Sequence, residues 1–131
     1  MGRWKIHRLI DDRLQVLTGQ LDGQAEFTPY AGGLLYWEHG TLAFGEHRGA
    51  AEQSYHFDFA DGDSRAFVRF RDGSLFHALD LSAGQDLVLH ACHPDLYRGR
   101  YVVLSGVQWR SAWTVKGPRK DYQISTMYTR T

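Results

Sequence analysis

This sequence predicts an all-β fold, a single antiparallel up-and-down barrel of about 9–11 short strands. Three observations carry that prediction. Apolar residues recur with a period of two, as in half-buried strands. Fourteen glycines stand against three prolines, a composition suited to many tight turns. A sheet of so many strands must also hide its edges. A barrel does this more completely than a two-sheet sandwich, the second choice.

The elements follow in chain order. In "GRWKIHRLI", Trp4, Ile6 and Ile10 oppose Lys5 and His7, and Arg8 falls on the apolar face. The best helix candidate, "IDDRLQVLTGQL" (Ile10 to Leu21), lacks a convincing helical period. "LDGQ" (Leu21 to Gln24) and "YAGG" (Tyr30 to Gly33) read as breaks. In the next strand, Glu38 shares a face with Leu34 and Tyr36. In "SYHFDFA", Tyr55, Phe57 and Phe59 oppose His56 and Asp58. "ADGDS" (Ala60 to Ser64) and "RDGS" (Arg71 to Ser74) bracket a strand, and Asp-Gly is a strong hairpin signal. In "SLFHALDL", His77 shares a face with Leu75, Leu79 and Leu81. In "HACHPDLYRGRY", His90 and Cys92 lie on one face and His93 on the other, and Pro94 stops ladder pairing. "LSGVQ" is a short connection around Gly106. In "VQWRSAWTV", Val107, Trp109, Ser111, Trp113 and Val115 share a face. "KGPRKD" (Lys116 to Asp121) links the last two strands. On the final strand Tyr122, Ile124, Thr126, Tyr128 and Arg130 share a face.

Composition limits the function. The 131 residues are expected to form one domain over 1–131, long enough for a real core. Fifteen basic and fifteen acidic side chains give a net charge of zero. Nucleic acid is therefore not an expected partner, because counterion displacement needs a basic surplus. No apolar run reaches about 18 residues, so no membrane span is expected. The charged N-terminus does not read as a signal peptide. Cys92 is the lone cysteine, which excludes an intramolecular disulfide and points to the reducing cytoplasm. A monomer or homodimer is expected.

The segments "GRW", "LLYWEHGTL", "DGSLFHALDL", "HACHPDLYRGRY" and "VKGPRKDYQISTMYTR" together resemble a bacterial family called domain of unknown function 6314. The resemblance spans essentially the whole chain. Its most specific part joins His90, Cys92, Pro94, Asp95 and Tyr97 to the run Gly117 to Tyr122. More distantly, the chain is similar to the calycin barrels, which include lipocalins and fatty-acid-binding proteins. Lipocalins open their first strand with Gly-x-Trp, matched by Gly2, Arg3 and Trp4, and set a late basic residue across that tryptophan. Arg130 is placed for this role. Fatty-acid-binding proteins hold a carboxylate with an arginine and a tyrosine two residues apart on the last strand. Tyr128 and Arg130 repeat the spacing in reversed order. Nitrobindins, also calycins, bind haem through a histidine near the C-terminus. Here the last histidine is His93, so no cofactor is implied.

The candidate ligand-binding residues are Arg8, Tyr36, Glu38, His77, His90, Tyr97 and Arg119. Arg8 and Glu38 are charges on apolar faces. They either pair inside the barrel, hold a polar ligand, or slip to solvent at the strand ends. His77 and His90 either pack in the core or touch a ligand. Lys116, Arg119 and Lys120 form either a solvated turn or a basic mouth. Asp95 is expected to bond backbone amides and Tyr97 to pack with its hydroxyl satisfied. A zinc site would need His90, Cys92 and a third ligand from elsewhere, such as His77. The familiar spacings are missing and none is expected. The leading expectation is a barrel binding a small, partly apolar, anionic molecule. The rival is a lyase, isomerase or hydrolase on the same barrel, with His90 or Glu38 as base and Tyr97 or Arg8 as electrophilic partner. Phenolic acid decarboxylases, also lipocalin-like barrels, use an Arg, Glu and Tyr set of this kind. The third possibility is an interaction module with a filled interior.

Overall fold

The computed structural model describes residues 2–59 and 64–131. Among them are ten strands and no helix: β1 (Gly2–Asp12), β2 (Leu17–Tyr30), β3 (Gly33–Phe44), β4 (His47–Phe59), β5 (Arg65–Arg69), β6 (Leu75–Asp80), β7 (Gln85–Cys92), β8 (Asp95–Val103), β9 (Gln108–Gly117) and β10 (Lys120–Arg130). They form one antiparallel sheet in the order β6-β5-β4-β3-β2-β1-β10-β9-β8-β7. The chain thus winds up and down, with its first and last strands paired along Trp4↔Arg130, Ile6↔Tyr128 and Arg8↔Thr126. The result is a nearly closed barrel, as the alternation predicts.

Closure is incomplete between β6 and β7, which share no ladder. Near their connection the Asp86 carboxylate accepts the Asp80 amide at 2.9 Å. Farther along, Phe70, Phe76 and His90 fill the gap with rings whose centroids lie 4.7–5.8 Å apart. Side chains thus stand in for the missing backbone bonds.

Of two local readings, the lack of a helical period holds and one break is corrected. Ile10 to Leu21 is strand, turn and strand, because β1 and β2 pair from Gly2↔Phe27 to Asp12↔Leu17. Leu21 to Gln24 is not a break but the middle of β2. Gly23 faces Gly40 across the ladder, and a Cβ on Gly23 would stand 2.1 Å from the His39 carbonyl. The glycine there permits close backbone approach within a strand, not a turn. The turns at Tyr30 to Gly33, Arg71 to Ser74, His93 to Asp95, Leu104 to Val107 and Pro118–Arg119 fall where the sequence places them. Of the break at Ala60 to Ser64, residues 60–63 lie outside the described residues.

A second correction concerns β6. The register shifts between Val68↔His77 and Arg69↔Leu75, leaving Phe76 as an extra residue. Strict alternation would send Phe76 outward. The bulge turns it inward beside buried His77, while Leu75 is 48% exposed.

Candidate functional site

The interior holds a cavity of about 220 Å³. Five of its lining side chains form a polar network, supplied by β10, β1 and β3, with β2 lying between the last two. Arg8 donates from Nε to Thr126 Oγ1 at 2.8 Å, from Nη1 to Glu38 Oε2 at 2.5 Å and from Nη2 to Glu38 Oε1 at 2.9 Å. The Tyr36 hydroxyl donates to Glu38 Oε1 at 2.6 Å. Its proton is thus committed, so the 3.1 Å contact between Tyr36 and Tyr128 has the Tyr128 hydroxyl as donor. The side chains of Arg8 and Glu38 are only 11% and 3% exposed. Arg8 and Glu38 therefore pair inside the barrel and do not slip to solvent.

The two charges stabilise each other. Burial opposes ionisation of both. For Arg8 the Glu38 hydrogen bonds and charge, with the neighbouring phenols, outweigh it and raise the guanidinium pKa. For Glu38 the Arg8 hydrogen bonds and charge overcome burial and hold its pKa below the usual carboxylate value. Both stay charged. Tyr36 is pushed well above the ordinary phenol, first by burial and then by the nearby Tyr128 and Glu38 charges. Tyr128 is also raised, chiefly by burial.

Aromatic rings make up much of the wall. Six of the seven tyrosines line the cavity: Tyr36, Tyr55, Tyr97, Tyr101, Tyr122 and Tyr128. Trp109 stacks on Tyr128 at 3.5 Å, and Trp113 on Phe76 at 5.1 Å. Gly99 makes room for the Trp113 ring, which would lie 2.8 Å from a Cβ on that residue.

The sequence candidates divide. Arg8, Tyr36, Glu38 and Tyr97 line the cavity. His77, His90 and Arg119 do not. His77 is 3% exposed: its Nδ1–H donates to the Ala78 carbonyl at 2.9 Å and Nε2 accepts from the Tyr101 hydroxyl at 3.3 Å. Burial lowers its pKa, which suits this neutral, satisfied ring. His90 sits behind the cavity wall against Phe76, Phe70 and Tyr97. Arg119 is exposed in the β9–β10 turn, where two-residue hairpin geometry carries it away from the interior. The basic mouth reduces to Lys120, which donates to the Tyr97 hydroxyl at 3.0 Å and pairs with Asp95 at 3.1 Å. Asp95 thus meets an ammonium in place of the expected backbone amides. Cys92 is exposed. Among the described residues, no three His, Cys, Asp or Glu side chains gather as metal ligands.

Sequence reasoning missed Tyr55, Tyr101, Trp109, Trp113 and Tyr122 as wall residues. The signal was present. Tyr55, Trp109, Trp113 and Tyr122 already lay on the inward faces, and Tyr101 lies four residues from Tyr97 on the same face of β8.

At the far end of the barrel lies a second cavity, of about 400 Å³. Phe57, Tyr101 and Trp109 line both. Arg130 lies over the Trp4 ring there, at 5.5 Å. Tyr128 and Arg130 therefore face different cavities and do not form one carboxylate clamp.

Comparison with known proteins agrees with this architecture. The model of a family of unknown function, DUF6314, matches residues 1–130. No curated protein matches the chain. Among solved structures, the S-type phycobiliprotein lyase CPES from Guillardia theta superposes with a TM-score of 0.65 at 8% identity, covering 100% of this chain and 88% of that one. EF1p2_mFAP2b bound to DFHBI superposes with a TM-score of 0.50 at 13% identity, covering 99% and 92%. At such identities the likeness is one of fold, the calycin-like barrel expected from the sequence.

Proposed function

We propose that this chain, which belongs to the DUF6314 family, binds a small, planar, uncharged aromatic molecule with hydrogen-bonding groups in the cavity beside Arg8 and Glu38. One observation carries the reading: a cavity lined by tyrosine and tryptophan rings together with a closed polar network. Flat rings offer faces for stacking, and hydroxyl tips give orientation. At about 220 Å³ the space is smaller than the ~300 Å³ where drug-sized pockets begin, which suits a single-ring ligand. In the mFAP2b neighbour the same fold holds DFHBI.

The anionic character expected from the sequence gives way here. Among the described residues Arg8 is the one cation lining the cavity, and Glu38 already matches its charge. An anionic ligand would have to bury an unmatched charge. The enzymatic reading is less well supported. Glu38 is a poor base, held ionised with both oxygens engaged. His90 lies outside the lining, so it does not join Arg8 and Glu38 as a second base. The filled-barrel reading is disfavoured by the cavity itself. A cytoplasmic setting, supported only by the lone exposed Cys92, is part of the proposal.

Titration with 4-nitroanisole, which has no ionisable group, followed by quenching of tryptophan fluorescence, tests the reading. Saturable quenching that is lost in Ser111→Phe supports it. Quenching that stays linear, as for a free tryptophan analogue, overturns it.

A further inference from the structure

We infer that the second cavity, at the end of the barrel where Trp4 meets Arg130, is an independent site for a small, uncharged, apolar molecule. It lies inside the sheet and not on its outer face. Residues from β1, β2, β3, β4, β5, β6, β8, β9 and β10 line it. Its volume of about 400 Å³ falls within the ~300–1,000 Å³ of small-molecule sites.

The lining decides the chemistry of the occupant. Apolar side chains, among them Phe27, Leu34, Phe59, Ala66, Leu79 and Leu81, supply most of the wall. Polar groups are few: the hydroxyls of Ser64 and Ser105, the indole N–H groups of Trp4 and Trp109, the Arg130 guanidinium, and the Tyr101 hydroxyl, already donated to His77. A buried water requires two to four polar partners, and this wall offers most positions none. Water held there is poorly bonded, so an apolar occupant releases it at little cost. The mouth has the same character. Phe59 is 41% exposed and Val103 44%, both part of the lining. Exposed apolar side chains at the edge of an apolar cavity suit the entry of an apolar molecule. The ligand needs no carboxylate, since the wall is apolar and Arg130 lies over the Trp4 ring.

The layer of Phe57, Tyr101 and Trp109 separates this site from the cavity beside Arg8. Tyr101 and Trp109 stack within it, with centroids 6.2 Å apart and planes 16° from parallel. The two sites therefore differ in chemistry as well as place, one ringed by phenols and the other by hydrocarbon.

The probe that tests this is N-phenyl-1-naphthylamine, an uncharged fluorophore that brightens in apolar surroundings. The intact chain should bind one equivalent. Ala66→Phe, which fills the second cavity, should weaken binding by about tenfold or more. Ser111→Phe, which fills the first, should leave it within about twofold. If Ala66→Phe fails to fold by circular dichroism, Leu81→Arg at the same wall serves in its place. Binding unchanged in the second-cavity variant, or weakened equally by Ser111→Phe, overturns the inference. Absence of any binding by the intact chain overturns it as well.

Discussion

Arg8 and Glu38, thirty residues apart, close a two-pronged ion pair inside the barrel, with Nη1 2.5 Å from Oε2 and Nη2 2.9 Å from Oε1. No backbone ladder joins β1 to β3 directly, since β2 lies between them. The gap is bridged because Arg8 stands opposite Leu21, and Ala25 opposite Glu38, on inward faces. The small residues Gly23 and Ala25 leave space for the two long side chains to meet.

Removing one partner leaves the other charge buried and unmatched. Arg8→Ala and Glu38→Ala should each cost about 3–5 kcal/mol in urea unfolding. Replacing both with apolar residues of similar size, Arg8→Met with Glu38→Leu, should recover most of that loss. Single variants costing under about 1 kcal/mol would mean that water screens the pair.

Glu38 also links stability to acid. Its folded pKa lies below its ordinary value of 4.5. Its contribution is therefore fully present above that value and is lost as pH falls through the lower folded one. Wild-type stability should decline through this range more steeply than that of Glu38→Gln. Equal acid limbs in the two unfolding profiles would contradict the assignment.

The phenols act at the alkaline end. Burial, with smaller effects from nearby charges, pushes Tyr55 up to about 12. A group raised in the folded state contributes fully below its ordinary pKa of 10.0 and loses that contribution as pH rises toward 12. Tyrosinate absorbance should therefore lag in the native protein and rise sharply on unfolding. Tyr55→Phe should soften the stability loss over this window. A native titration curve that overlays the unfolded one would refute this.

Val16 offers a gain in stability. It is β-branched, has φ +54° and is 86% exposed in the β1–β2 turn. Its side chain contributes little packing while straining the backbone. Val16→Gly should stabilise the fold by about 1 kcal/mol, read as a raised melting temperature. A lowered one would show that the side chain packs against something in solution.

Much of the fold was legible because the barrel rests on a local rule. Alternation in β1, β3, β9 and β10 placed Arg8, Tyr36, Glu38, Trp109, Trp113 and Tyr128 on inward faces. It failed where the backbone departs from two residues per repeat. The bulge at Val68/Arg69 brings Phe76 in, and the close approach at Gly23 makes a strand look like a turn. His90 also shows the limit of a face assignment: β7 points it inward, but Phe76 intervenes between it and the cavity.

By itself, then, the sequence determined the strand class, the up-and-down order and the side of the sheet on which most aromatics, Phe76 excepted, and the Arg8 and Glu38 charges lie. Those properties depend on periodicity and turn chemistry along the chain. Only the tertiary structure decided that Arg8 meets Glu38, that Tyr97 meets Lys120 and not a ligand alone, and that the interior divides into two cavities. These depend on distances across the barrel, set by strand register and by the volumes of side chains far apart in sequence. The stretch of His90 to Tyr101 shows the division: its residue types suggest a site, but packing gives the cavity to its two tyrosines and leaves the histidine behind the wall.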